Sequence, residues 1–401
     1  MIKNKYDFNP IIDRRGTNAM SLEGYRGYLF EEDEDLRGKY PEEYFIPMWV
    51  ADMEFAIAPE ILQAMKDRLE HPLLGYSMVA DPAYTQAFHT WCKDRYNWDF
   101  DLQHLVYSKG VVPALFSLIG LICKPDEKVL IITPSYAFFK HGADHNGIEL
   151  VCSDLIKEKD QFVMDMADIR EKASDSKCVL GIFCSPHNPT GRVWSTEELQ
   201  ELGEICLSNN VTIITDELHC DLLRGHSTFT PMAQLFPDSD QIITCMSPSK
   251  TFNLAGNSFS NIIIPNDELR QEYKDNYLPI ENPLSIVAAQ AAYTKGHGWL
   301  EELTPYLDNN FNYLKEQLNL HLPHAKFTIP ESTYLAWVDL GYYFQDDENL
   351  TLFFARNAGV LLEGGDMFVS NAQGFIRLNL ASPKSRIEEG IARIIRAVLE
   401  R

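Results

Sequence analysis

The sequence predicts an α/β fold with a mainly parallel β-sheet that is covered by helices on both faces. From about residue 104, short apolar runs alternate with amphipathic stretches, and these runs lie at 128–134, 177–186, 211–217, 240–249 and 260–266. They are apolar throughout instead of alternating, which is typical of strands buried on both sides. Helical patterns lie between them at 113–123 and 195–210, and the second begins with a Ser-Thr cap and a Glu in its first turn.

The pattern changes near residue 290, which predicts a second, smaller domain. Long helical stretches follow this point, and short strands come after them at 332–340 and 374–381. A chain of 401 residues is also longer than a single hydrophobic core usually supports. We therefore predict a large α/β domain over 48–290, and a small α+β domain that combines an N-terminal arm, 1–47, with 291–401.

Composition limits the partners of this chain. Its formal net charge is -23, and such a field repels phosphate backbones and anionic lipid surfaces. We therefore expect neither a nucleic-acid nor a membrane partner, and no apolar stretch is long enough to span a bilayer. The N-terminal residues have no apolar signal-peptide region, so we predict a cytoplasmic location.

Cysteines and histidines give no sign of a metal site. The 8 cysteines are scattered without CxxC spacing, and the 11 histidines form no HExxH or similar cluster. We expect reduced thiols in the core and no bound metal.

Residues with chemical potential follow the predicted strands, where ligands bind in open α/β sheets. Gly110 precedes a helix that begins with Val111 and Val112, so free backbone N–H groups would point at an anion such as a phosphate. An ordinary strand-helix turn is the alternative. Tyr136 follows the run at 128–134 and could cover the face of a flat ring, although local packing would also explain it.

Two further strands end in an amide and a carboxylate. Asn188 lies in a tight Asn-Pro-Thr-Gly turn and could bond a phenolate-like oxygen, unless it only shapes the turn. Asp216 falls at the buried end of its strand, where a carboxylate needs a partner. That partner could be a protonated ring nitrogen or the cation of an internal salt bridge.

Lys250 stands between small hydroxyl residues just after an apolar run. Taken alone, this position predicts only a solvent-exposed lysine in a turn. Together with the carboxylate, the amide, the aromatic ring and the phosphate cradle, it completes what pyridoxal phosphate requires of a protein, and Ser247 and Ser249 add hydroxyls for the phosphate. Burial and a cofactor cation would lower the pKa of Lys250 and free its amine to attach the cofactor and later act as a base.

At these residues the sequence resembles a known family. The order NPTG (188–191), DELH (216–219) and SPSKTFNLAG (247–256) resembles fold-type I pyridoxal-phosphate enzymes of the class I/II aminotransferase superfamily. More specifically, it is similar to the C–S β-lyase branch, the MalY/PatB-type cystathionine β-lyases. Supporting stretches span nearly the whole chain in the family's order, among them 12–17, 46–60, 73–77, 332–337 and 376–385. The resemblance implies a homodimer with sites at the subunit interface.

The resemblance also implies a role for each candidate residue. For the cofactor, Lys250 would attach it, Asp216 would bind the pyridine nitrogen, Asn188 would bind O3′ and Tyr136 would cover the ring. The phosphate would be held by Val111, Val112 and Ser247 or Ser249, with Tyr76 from the other subunit. Arg377 would bind the substrate's α-carboxylate, a task suited to a guanidinium fork, and Ala51 would also contact substrate.

Departures from the aminotransferase pattern favour the lyase branch. His219 stands where typical aminotransferases have Tyr, three residues after the Asp, and Ser258 stands where they have a phosphate-binding Arg. His219 would contact the cofactor at O3′, relay a proton, or serve only structure. The segment 18–45 is longer and differently charged than is usual in the branch, so we expect it to alter the substrate pocket.

The function that the resemblance implies is a C–S β-lyase that cleaves cystathionine or related cysteine thioethers by α,β-elimination to a thiol, pyruvate and ammonia. An aminotransferase is the alternative, since it shares the early chemistry. A catalytically idle fold with a regulatory or scaffolding role is a third class, which the intact Lys250, Asp216, Asn188 and Arg377 disfavour.

Overall fold

The computed structural model describes residues 5–30, 34–78, 81–159, 161–277 and 280–401. Its α-helices are α1 Met20–Glu23, α2 Tyr25–Leu29, α3 Pro59–Glu70, α4 Pro82–Tyr96, α5 Val111–Ile122, α6 Ala137–Asn146, α7 Met166–Ala173, α8 Thr196–Ser208, α9 Met232–Leu235, α10 Pro248–Thr251, α11 Asp267–Asn276, α12 Pro283–Lys295, α13 His297–His321, α14 Leu350–Ala358 and α15 Lys384–Leu399. Its strands are β1 Ile46–Pro47, β2 Ser77–Met78, β3 Leu105–Ser108, β4 Lys128–Thr133, β5 Ser135–Tyr136, β6 Glu149–Asp154, β7 Ile156–Glu158, β8 Gln161–Val163, β9 Cys178–Cys184, β10 Thr212–Asp216, β11 Ile242–Met246, β12 Ser260–Ile263, β13 Ile280–Glu281, β14 Leu335–Asp339, β15 Val360–Leu361, β16 Glu363–Gly364, β17 Phe368–Val369 and β18 Phe375–Asn379.

A seven-stranded sheet with the order β3-β12-β11-β10-β9-β4-β6 carries the large part of the fold. Strand β12 runs antiparallel to both of its neighbours, and the other neighbouring pairs are parallel. Each of the five apolar runs forms a strand of this sheet, so the predicted α/β class is confirmed. The runs did not predict β3, which has four residues, or the edge strand β6, whose residues are polar or half-buried.

Successive residues of the central strands pack on opposite faces of the sheet. On one face, Ile131, Ile182 and Ile214 pack against α5, α6 and α11. On the other face, Leu130 and Ile213 pack against α7 and α8. Both faces are therefore buried, which explains the unbroken apolar runs in the sequence.

The predicted cap of α8 is present in the structure. The Ser195 hydroxyl accepts a hydrogen bond from the Glu198 backbone N–H, and the Glu198 carboxylate accepts one from the Ser195 N–H. This reciprocal arrangement is a capping box, and it satisfies backbone donors that the first turn of a helix leaves free.

A three-stranded antiparallel sheet with the order β14-β18-β16 forms the centre of the C-terminal part. Residues of α13, α14 and α15 pack on it, with Phe311, Phe354 and Ile391 fully buried. The N-terminal segment joins this part, because β1 pairs with β15. The boundaries at 47/48 and 290/291 stay a prediction. Within the described ranges, no helix is both long and apolar enough to cross a membrane.

The turn at 188–191 is fixed by its last residue. Gly191 has φ +69°, and its N–H donates to the carbonyl of His187 at 2.7 Å. A Cβ on Gly191 would lie 2.3 Å from Pro330 Cβ and 3.0 Å from the Ser332 carbonyl oxygen. This position therefore requires glycine for its backbone conformation and for space.

We expect Gly191→Ala to destabilise the protein by about 2–5 kcal/mol, since it adds left-handed strain to overpacking. Gly147→Ala is the matched control, because Gly147 has φ +68° but no atom within 4 Å of the added Cβ, and about 1–2 kcal/mol of strain alone is expected there. Urea unfolding curves of the two variants measure the difference. Equal losses in both variants would contradict the predicted contact with Pro330.

Candidate active site

A cavity of about 320 Å³ lies at the carboxyl ends of the central strands. Every predicted site residue except Tyr76 lines it, namely Lys250, Asp216, Asn188, Tyr136, Val111, Val112, His219, Ser247, Ser249, Arg377 and Ala51. Tyr76 is 93% exposed and lines a separate surface groove, which shares Lys109 and Ser258 with the cavity. The phosphate contact of Tyr76 in the site of a partner subunit stays a prediction.

Lys250 is held inside the cavity by the single-turn helix α10, directly after β11. The Ser247 hydroxyl begins this turn by accepting the Ser249 N–H at 3.1 Å. Lys250 Nζ donates to the Ala51 carbonyl oxygen at 2.7 Å, as does the Tyr334 hydroxyl. Burial lowers the pKa of Lys250, which is the direction predicted from the sequence. Lys250 is therefore not a solvated turn lysine.

Asp216 ends β10 as a buried carboxyl without a cationic partner. Its side chain accepts the Leu218 N–H at 3.3 Å, and within the described residues it forms no ion pair. Burial raises the pKa of Asp216 to about 6, although the Leu218 N–H and the Lys250 charge act in the opposite direction. Asp216 thus forms no internal salt bridge with any residue that the structure describes. A cation on a bound ligand remains as the partner that would offset the free-energy cost of burying the carboxylate.

An anion cradle lies beside these two groups. Gly110 adopts φ +151° and is the N-cap of α5, whose first N–H groups at Val111 and Val112 have no partner within the helix. The Ser247 hydroxyl already donates to the Phe259 carbonyl at 2.7 Å. The Ser249 hydroxyl makes no hydrogen bond within the described part of the chain, so of the two predicted phosphate contacts Ser249 has the hydroxyl that is free to bind an anion.

Asn188 and Arg377 meet across the cavity although 189 positions separate them. Arg377 Nη1 donates to Asn188 Oδ1 at 3.0 Å, and Arg377 Nη2 donates to the Trp49 carbonyl at 3.1 Å. The Asn188 amide therefore does more than shape its turn, since it orients a guanidinium that is only 2% exposed. The Asn188 amide nitrogen is left for another acceptor.

Tyr136 and His219 flank the same space. Tyr136 packs against Phe138 at a ring-centroid distance of 5.1 Å. His219 lies edge-on to Tyr334 at 6.1 Å, and burial lowers its pKa to about 3. His219 is therefore a neutral imidazole near pH 7, whose Nδ1 is buried without a hydrogen-bond partner.

Sequence reasoning did not identify the residues that the N-terminal segment and β16 bring to the cavity. Met20 and Tyr28, from α1 and α2, line it, so the segment 18–45 does shape the pocket; residues 31–33 lie outside the described residues. Glu363 also lines the cavity and forms a buried ion pair with Arg377. Only the register of β16 with β18 reveals this pair, and no local motif encodes it.

Fold and site together define the class of this protein, which is a pyridoxal-phosphate-dependent enzyme of fold type I. The chain matches the family model "Aminotransferase class I and II" over residues 46–394, and it belongs to this family. The predicted fold type and cofactor are confirmed, because similar solved structures contain pyridoxal phosphate.

The most informative relatives are lyases. The chain is 36% identical to the cystathionine beta-lyase PatB of Bacillus subtilis (strain 168) over 87% of this chain and 91% of that protein. It is 30% identical to the protein MalY of Escherichia coli (strain K12), over 98% and 99% of the two chains. The solved structure of the PLP-bound C-S lyase from Staphylococcus hominis, complexed with L-cycloserine, shares 49% identity over 98% of each chain, with a TM-score of 0.94.

The residues of this chain fit pyridoxal phosphate. A ring nitrogen that carries a proton would give the Asp216 carboxyl the cationic partner it lacks, and a phosphate would satisfy the free N–H groups that begin α5. Lys250 supplies the amine for covalent attachment. We assign these contacts as a proposal that rests on the donors and acceptors left open in the cavity.

The Asp216→Asn variant tests the cost of the unpaired carboxyl in cofactor-free protein. The pKa of Asp216 rises from 3.8 to about 6 on folding, so ionisation of the unfolded chain lowers stability between pH 4 and 6. Above this range the cost is constant at about 3 kcal/mol. We expect Asp216→Asn to raise the stability of the cofactor-free protein at pH 8 and to leave it unchanged near pH 3.5.

Urea unfolding of wild type and variant at the two pH values measures this difference. A gain of the same size at both pH values would show that charge burial is not its cause.

Proposed function

We propose that the chain is a pyridoxal-phosphate-dependent C–S β-lyase that cleaves cystathionine or related cysteine thioethers. With water, α,β-elimination yields a thiol, pyruvate and ammonia. The observation that carries the proposal is the arrangement of Lys250, Asp216 and Arg377 around one cavity in a chain that aligns over nearly its whole length with named C–S lyases. The enzymes of this family act on amino acids.

Pyridoxal phosphate, when bound, supplies an electron sink for negative charge at the substrate Cα. Lys250 Nζ is the group that takes the Cα proton, and burial favours the neutral amine that this step needs. The Asp216 carboxylate holds a proton on the ring nitrogen, which keeps the sink effective. The neutral His219 contributes no charge near pH 7.

Arg377 and Asn188 orient the substrate. The guanidinium is buried, held by Asn188 Oδ1 and the Trp49 carbonyl, and can bind an α-carboxylate through charge-assisted hydrogen bonds. Fixing the carboxylate sets the direction of the Cα–H bond toward Lys250. Tyr28 and Trp49, whose ring centroids are 4.9 Å apart, cover this side of the cavity.

An aminotransferase is the second candidate, because the matching family carries that name and a probable aspartate/prephenate aminotransferase is 25% identical. The two activities share the removal of the Cα proton and differ in where a proton returns. His219 and Ser258, in place of the residues typical of aminotransferases, support the lyase.

We also propose a homodimer and a cytoplasmic location. The exposed Tyr76 lines a surface groove that shares Lys109 and Ser258 with the active cavity, which supports a contact between two copies of this site. Free cysteines at all eight positions agree with a reducing compartment.

The decisive measurement is pyruvate release from cystathionine without an added keto acid. We expect the purified holoenzyme to release pyruvate and a thiol. Lys250→Ala should abolish both the visible absorbance of the bound cofactor and the release of pyruvate, because it removes the attachment amine and the base. Lys140→Ala, an exposed lysine paired with Asp144, is the control that should retain both. Amine transfer that requires a keto acid would instead identify an aminotransferase.

Arg377→Lys tests the substrate carboxylate site. Lysine keeps the charge but cannot form two parallel hydrogen bonds, so KM for cystathionine should rise by about 10- to 100-fold. We expect kcat to fall less than kcat/KM, since the reacting groups remain in place. An unchanged kcat/KM would remove Arg377 from the substrate site.

A further inference from the structure

Glu363 and Arg377 face each other on neighbouring strands of the small sheet. The antiparallel register of β16 and β18 places Glu363 directly opposite Arg377, so both side chains extend on the same face. Their exposed fractions are 4% and 2%, and Glu363 Oε2 forms an ion pair with Arg377 Nη2. The Glu363 carboxylate therefore contacts the Arg377 guanidinium, which we propose as the binding site for the substrate's α-carboxylate.

The hydrogen-bond donors of Arg377 are unevenly used. Nη1 donates to Asn188 Oδ1, whereas Nη2 serves both the Trp49 carbonyl and Glu363. Nε is buried and has no partner. A carboxylate binds a guanidinium with two parallel hydrogen bonds either through Nη1 and Nη2 or through Nη2 and Nε. Both edges therefore need Nη2, which already donates to the Trp49 carbonyl and forms the ion pair with Glu363.

Of the two acceptors on Nη2, Glu363 is the one that can move. The Trp49 carbonyl belongs to a backbone that is fixed on both sides, because the Asn379 N–H donates to the Met48 carbonyl at 2.8 Å and the Asn379 side chain binds the Val50 carbonyl. Glu363 contributes a side chain that lines the cavity itself. Rotation about its side-chain bonds is enough to release the guanidinium.

Two tyrosine hydroxyls can donate hydrogen bonds to a Glu363 carboxylate that has left Arg377. Tyr28, Tyr136 and Glu363 line the same cavity. Burial and the negative charge of Glu363 raise the pKa of both phenols, so both stay protonated near pH 7. Neither phenol forms a hydrogen bond within the described residues. Each can therefore donate a new one to the carboxylate after it leaves Arg377.

We infer that Glu363 is a specificity-determining residue, an internal carboxylate that occupies the α-carboxylate site of Arg377 and must be displaced by the substrate. The inference rests on the proposed function through the role of Arg377. Glu363 then weakens the binding of any amino acid by competing for Nη2 and by repelling a second carboxylate. A residue that only oriented Arg377 would have the opposite effect, because its removal would weaken substrate binding.

The test is the affinity of the holoenzyme for L-alanine, which has an α-carboxylate but no β leaving group, compared with ethylamine, which has no carboxylate. Binding is followed by the change in the visible spectrum. We expect Glu363→Gln to lower the Kd of L-alanine on the order of 10-fold, as removal of a like charge a few Å away predicts, and to change the Kd of ethylamine less than twofold. Glu201→Gln, which removes the same charge from an exposed pair with Arg170, should leave both values unchanged.

An unchanged or raised Kd of L-alanine in Glu363→Gln would overturn the inference. Glu363→Asp is a second variant in case Glu363→Gln fails to fold. It keeps the negative charge but moves it away from Nη2, so the affinity for L-alanine should rise less than in Glu363→Gln. Thermal melting checks that each variant is folded. Arg377→Lys in the same assay separates the two proposals. Weaker L-alanine binding there, without tighter binding in Glu363→Gln, would refute only the displacement by substrate, whereas an unchanged affinity in Arg377→Lys would refute the substrate site itself.

Discussion

The buried carboxyl of Asp216 is the constraint on which the rest of the site depends. It stands at the end of a central strand, is 6% exposed, and has a backbone N–H but no cation as partner within the described residues. A protein that evolved for stability alone would have no reason to keep such a group. A positively charged cofactor ring bound at Asp216, as we propose, would offset this cost, and it would lie on the same side of the cavity as Lys250.

The architecture explains why these groups meet. Parallel strands end at the same edge of the sheet, so Asn188, Asp216 and Ser247, which follow three different strands, converge although they are far apart in the sequence. The order of β9, β10 and β11 as neighbours makes this convergence a consequence of topology. The one-turn helix α10 then places Lys250 over the same edge, within 2.7 Å of the Ala51 carbonyl.

Sequence patterns predicted the groups that follow apolar runs and the start of α5, and the family resemblance added Arg377 and Ala51. The five runs located the central strands, and Lys250, Asp216 and Asn188 could be found because each follows a strand in the chain. Glu363 could not, because its partner Arg377 is reached through strand register, which depends on tertiary packing. The edge strand β6 was also missed, since partial exposure breaks the apolar run by which a buried strand is identified.

The two sides of the cavity come from different sheets. The side with Lys250 and Asp216 belongs to the seven-stranded sheet, whereas Arg377 and Glu363 belong to the small sheet, and Tyr28 and Trp49 to the N-terminal segment beside it. Substitutions in β16 or in the segment 18–45 can therefore alter which amino acid binds without disturbing Lys250 or Asp216. The strands that carry Arg377 and Glu363 also pack on a hydrophobic core separate from the core against the seven-stranded sheet, so each side of the cavity has its own structural support.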